Sequence, residues 1–163
     1  ILEKAIQLSQ TNQQGYSNLA EVRLAQGKIG ETINLLKKAV DLEPRLSHSH
    51  WYLAMAYSIA GQNQLAKEEA IKAGELGYGW SNNIENLKRV IDIYLALNDN
   101  AGLVPLYLEA IKLQPNDAQL WASLAASYAN LGQYDKTREA AAKVSELDPD
   151  SQEKIKEFLK TLP

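Results

Sequence analysis

The chain has no cysteine among its 163 residues, and it holds one methionine and one phenylalanine. Without thiols there is no disulfide framework, no thiolate metal site and no cysteine nucleophile, and the redox compartment stays open. Five prolines and nine glycines are enough to punctuate short elements and too few for a low-complexity segment. No apolar run approaches the roughly 20 residues of a membrane span, and no signal-peptide pattern precedes the first helical stretch. The chain opens on Ile1 instead of Met and reads as a piece of a longer protein. Seventeen lysines and arginines against 20 aspartates and glutamates give a formal charge of -3, which leaves no basic footprint for nucleic acid. Gly-rich phosphate loops and nucleophile motifs are absent. The two histidines, His48 and His50, stand two apart and point to different sides of a helix, so they make no shared metal site. A non-enzyme without cofactor or metal is the expectation.

What is present is helical. Alanine, leucine, lysine, glutamate and glutamine dominate. In residues 116–149, Trp121, Leu124, Ala125 and Tyr128 are spaced i, i+3, i+4, i+7, one stripe of a helix that Gly132 ends. Tyr134 opens a second helix with Ala140, Ala141, Val144 and Leu147 on its apolar side, and Pro149 stops it. This pair resembles a tetratricopeptide repeat, whose 34-residue pattern runs W-x-x-L-G-x-x-Y, then a small residue, an aromatic and a proline. Ala125 takes the place of the glycine, Thr137 that of the small residue, and Ala141, a departure, that of the aromatic. The resemblance implies an all-α fold, a tetratricopeptide-type α-solenoid in which antiparallel helix pairs wind into a right-handed superhelix.

The pattern recurs along the chain and sets the expected boundaries. Residues 1–12 read as the second helix of a truncated repeat, 13–46 as repeat one, 47–83 as repeat two with a three-residue insertion, 84–117 as repeat three, 118–151 as repeat four, and 152–163 as a capping helix. Repeat two places His50 in the aromatic core slot and turns Trp51 about 100° round the helix. The insertion lies in Gly77-Tyr78-Gly79-Trp80-Ser81-Asn82-Asn83. Asn82 with Glu85 reads there as a capping box, and the connection as an ordered turn without a domain boundary. Tyr78 and Trp80 either rim a groove or pack under the adjacent helix. Pro105 is expected in the first turn of a helix starting no earlier than about Gly102. Ile155, Phe158, Leu159 and Leu162 make the apolar stripe of the cap.

In tetratricopeptide proteins the first helix of each repeat lines a concave groove, and this implies a bacterial protein-interaction scaffold binding a peptide or protein segment. The carried-over positions that form the expected partner-binding set are Gln14, Ser17 and Glu21; His48, Trp51 and Met55; Glu85, Lys88 and Asp92; and Gln119. His48, Trp51 and Met55 would share one stripe, with Trp51 either an aromatic anchor for a peptide or packed on its neighbour. Glu85, Lys88 and Asp92 read a partner's charges or form a solvated face. No Lys/Asn pair suits a terminal carboxylate, which disfavours a chaperone-tail role. Two further readings stand beside the scaffold. Residues 77–99 and the ending KIKEFLKTLP resemble the tetratricopeptide tails of bacterial membrane glycan polymerases or ligases of the O-antigen type, which implies a regulatory or assembly role. The uncovered side of the 1–12 helix suggests self-association into a homo-oligomer. Localisation is open between cytoplasm and a membrane-anchored parent.

Overall fold

In the computed structural model, which describes residues 12–163, the chain is built from α-helices joined by short turns, with no strand among the described residues. The expected helix over residues 1–12 lies almost wholly outside the described residues. The chain divides into two compact units, residues 1–80 and 81–163. The turn separates the units because its side chains are tied down on either side. Tyr78 and Trp80 pack back onto the first unit, whereas Asn83 caps the first helix of the second.

The first unit holds α1 (Gln13–Ala25), α2 (Ile29–Leu42), α3 (Ser47–Ile59) and α4 (Asn63–Glu75). Each packs on the next, and the two first-of-pair helices α1 and α3 also touch. Alanine makes that close approach possible: Ala20, Ala39, Ala54, Ala66, Ala70 and Ala73 are fully buried. His50 occupies the core slot expected of it and is held on both ring nitrogens, Nδ1 at 2.5 Å from Glu69 Oε2 and Nε2 at 3.0 Å from the Pro44 carbonyl. A buried imidazole is tolerated there because neither nitrogen is left unpaired.

The second unit holds α5 (Ile84–Ala96), α6 (Asn100–Leu113), α7 (Ala118–Asn130), α8 (Tyr134–Leu147) and α9 (Gln152–Lys160), again packed in sequence. Its core runs through Leu87, Val90, Ile93, Leu103, Tyr107, Ala110, Leu124, Ala125, Ala141 and Val144.

One device ends the helices of both units. A residue in the left-handed region follows the last turn, and the next N–H reaches back five residues: Lys28 N to Arg23 O, Gln62 N to Tyr57 O, Asp99 N to Tyr94 O and Gln133 N to Tyr128 O, at 2.8–3.0 Å. Glycine supplies the positive φ at 27, 61 and 132, and Asn98, with φ 53°, supplies it at the fourth site.

Two local expectations are corrected. The cap of α5 is Asn83, whose side chain accepts from Glu85 N and Asn86 N, one residue later than the Asn82 capping box. Helix α6 begins at Asn100, capped by Asp99 on Gly102 N, so Pro105 lies in the second turn and not the first. The helix tolerates it because a single bond is lost, the one Ala101 O would have accepted, and Ala101 is exposed to water.

Candidate functional site

The polar and aromatic residues of the first unit converge where α1 faces α3. Ser17 and Ser49 join the two helices through a buried hydroxyl pair at 2.8 Å. One turn further along α1, Glu21 Oε1 meets His48 Nε2 at 3.0 Å, with 38% and 43% of the two side chains still exposed. The His48 ring stands edge-on to Tyr52 at 4.6 Å between centroids and 6.0 Å from Tyr78. Tyr78, brought in by the insertion, lies flat on Trp51 with centroids 5.0 Å apart and planes within 18°. The glycines flanking Tyr78 give the turn the freedom to fold this ring inward, with Gly77 at φ 89°. Trp80 turns the other way, packing beside Gly74 and donating its indole N–H to Ala70 O at 3.1 Å. Tyr78 thus rims the surface, while Trp80 packs on the preceding helix, α4.

The electrostatics of this patch are set by one carboxylate. Burial pushes the Tyr52 hydroxyl up from its ordinary value, and the negative charge of Glu21 and then the neighbouring Tyr78 add to it. Burial, followed by Glu21, does the same to Tyr78. Both phenols therefore stay protonated and lie within the field of a half-exposed acid.

The expected site residues fall into two sets. Trp51 and Met55 are 5% and 7% exposed and Ser17 is buried, so these three lie beneath the surface instead of on it. For Trp51 this is the packed alternative, with Tyr78 stacked on its face. Glu21 and His48 are brought together at the surface. Gln14 is exposed on α1 and bonds Asn18 at 2.7 Å. Glu85, Lys88 and Asp92 are exposed along α5, and Gln119 in the first turn of α7. Sequence reasoning missed Tyr52, which sits one position beyond the groove register, although its spacing of four from His48 on one helix was available to find it. No group of three or more His, Cys, Asp or Glu among the described residues is placed to hold a metal ion. In the second unit an open cavity of about 370 Å³ is floored by Leu108, Trp121, Leu124 and Tyr128 and rimmed by Lys136 and Lys143; none of the expected residues lines it.

A family model for the tetratricopeptide repeat matches residues 106–139, from within α6 through α7 into α8. The chain carries tetratricopeptide repeats. Among solved structures it is similar to YrrB, described as a TPR protein with an unusual peptide-binding site, with a TM-score of 0.70 at 21% identity, covering 91% of this chain and 75% of that one. MamA is similar at a TM-score of 0.70 and 17% identity, covering 93% and 81%. A MamA fragment from Desulfovibrio magneticus RS-1 gives 0.64 at 22%, covering 90% and 81%. At these identities the likeness establishes the fold, a tetratricopeptide α-solenoid. In sequence, the tetratricopeptide chain is 34% identical over 84 residues to the sol locus transcriptional repressor of Clostridium acetobutylicum. That match takes in half of this chain and only 26% of the repressor.

Proposed function

We propose that this tetratricopeptide chain is a non-catalytic protein-interaction module that receives a segment of a partner protein on the face formed by the first helices of its repeats. The observation that carries the reading is the half-exposed cluster of Glu21, His48, Tyr52 and Tyr78 on one face of the first unit. Tyrosine and histidine give a partner large, rigid contact area with a hydrogen-bonding tip and little side-chain entropy to lose, which is the composition of interface hot spots. Gln14 on the same helix offers a polar contact of the kind found at an interface rim, and in the second unit, taken by itself, Glu85, Lys88, Asp92 and Gln119 are exposed on first helices and offer polar contacts of their own. Trp51, Met55 and Ser17 support the surface from below. The likeness to YrrB, described as having a peptide-binding site, favours the same reading.

A photo-cross-linking side chain placed at Tyr52 tests it, with the same group at exposed Lys37 on α2 as the comparison. In cells that express the protein, position 52 is expected to yield a discrete protein adduct that position 37 does not. Equal labelling at both positions, or none at either, would remove the reading.

A further inference from the structure

We infer that the Glu21, His48, Tyr52 and Tyr78 cluster is a receptor for one cationic side chain, the guanidinium or ammonium group of an arginine or lysine in the bound segment. This rests on the binding role proposed above and names the chemistry of its partner. Three observations lead to it. First, the patch combines a carboxylate with aromatic rings: His48 holds Glu21 Oε1 only, and the acid keeps 38% of its side-chain surface in water. Second, burial and then the charge of Glu21 raise both Tyr52 and Tyr78, so the carboxylate's field reaches both phenols. Ring faces and carboxylate then favour the same sign of ligand.

Third, this chain covers other tyrosines with its own cations and leaves these two uncovered. Lys38 Nζ stands 5.8 Å from the ring centre of Tyr16, and Lys136 Nζ 5.4 Å from that of Tyr128. Among the described residues no lysine or arginine sits over Tyr52 or Tyr78. A metal ion is a poorer occupant than an organic cation, because among the described residues no third His, Cys, Asp or Glu joins Glu21 and His48. An anionic segment would be repelled by the exposed part of Glu21, and a purely apolar one would strip water from the carboxylate and the phenols.

The stacking of Tyr78 on Trp51 gives the receptor its rigidity. One face of the phenol is fixed on a buried indole, so the ring is held in place before the ligand arrives and less side-chain freedom is lost on binding.

Selection of binders to the intact protein from a random-sequence peptide library tests the assignment. The expected peptides share one arginine or lysine. Replacing it by norleucine, which keeps the alkyl chain and removes the charge, should weaken binding about ten-fold. Glu21→Gln should weaken the parent peptide about five-fold, while Glu68→Gln, equal in charge change and with its carboxylate on Gln64 of the same helix α4, should not. In the Glu21→Gln protein the norleucine exchange should cost clearly less, the mark of a direct pairing. Selected peptides that lack a shared basic residue, or a norleucine penalty that Glu21→Gln leaves unchanged, would overturn the cationic receptor. If an adduct at position 52 still formed, the interaction module itself would survive. A library that yields no binder, together with no adduct, would end both.

Discussion

At the scale of single residues, Trp51 shows how a repeat frame can place a side chain and still mistake its environment. The frame turned it correctly away from the core slot that His50 fills, and the expected groove position follows from that. What seals the ring is Tyr78, contributed by an insertion outside the repeat pattern, and no periodicity reports where an inserted turn folds. The consequence for mutation reverses. Trp51→Ala removes a buried indole together with the seat of Tyr78, so a loss of about 3–5 kcal/mol in folding stability is expected, against a smaller loss for Trp51→Phe, which keeps a ring to stack on. Chemical denaturation followed by circular dichroism measures both. A Trp51→Ala protein as stable as the wild type would mean that the ring is not packed as described. Tyr52 teaches the complementary lesson. Its burial and its proximity to Glu21 depend on a helix pair meeting, which local spacing on α3 does not contain, whereas its contact with His48 one turn away follows from that spacing.

At the scale of elements, the helices were largely legible because their ends carry strong local signals. Helices α1, α3, α5, α7 and α9 begin at Gln13, Ser47, Ile84, Ala118 and Gln152, the positions where apolar periodicity resumes after each turn. Asn98 takes the place that glycine holds at 27, 61 and 132, with a φ of 53°. Helix α6 was misjudged by two residues because Pro105 was weighed above Asp99, whose carboxylate caps Gly102 N at 2.9 Å and starts the helix earlier. Gly102 has a second reason to be glycine that only packing reveals. A Cβ there would lie 2.3 Å from Tyr94 Cε1 and 2.8 Å from the Asp99 carboxylate. Helix propensity alone would make Gly102→Ala stabilising by about 1 kcal/mol. Displacing a buried tyrosine and the cap costs about 1–3 kcal/mol, so the net change should be destabilising. A raised melting temperature for Gly102→Ala would show that Tyr94 swings aside freely.

At the scale of the molecule, stability in a stack of helix pairs is a sum of local terms, because each helix is supported by its neighbours in sequence and not by one common centre. The units should therefore be unevenly protected. In α3, Ser49, His50, Trp51, Leu53, Ala54, Met55, Ala56 and Tyr57 are all buried, whereas α9 has no buried residue. The apolar stripe of α9 is only half-covered, with Ile155, Phe158 and Leu159 each partly exposed. Fraying of such a helix costs little, and its amides should exchange with deuterium through an opening of about 1 kcal/mol, while those in the middle of α3 should wait for opening near the global free energy. Within the second unit, the amides around Leu87, Val90 and Ile93 of α5 should be among the last to exchange, since those large side chains are at most 1% exposed. Phe158→Ala should speed exchange in α9 and leave α3 unchanged, because additive local terms do not transmit a loss across the chain. Hydrogen exchange resolved by mass spectrometry on short fragments reads all three regions at once. Equal protection of α9 and α3, or a slowing or quickening of α3 in the Phe158→Ala protein, would mean that the chain opens as one cooperative body.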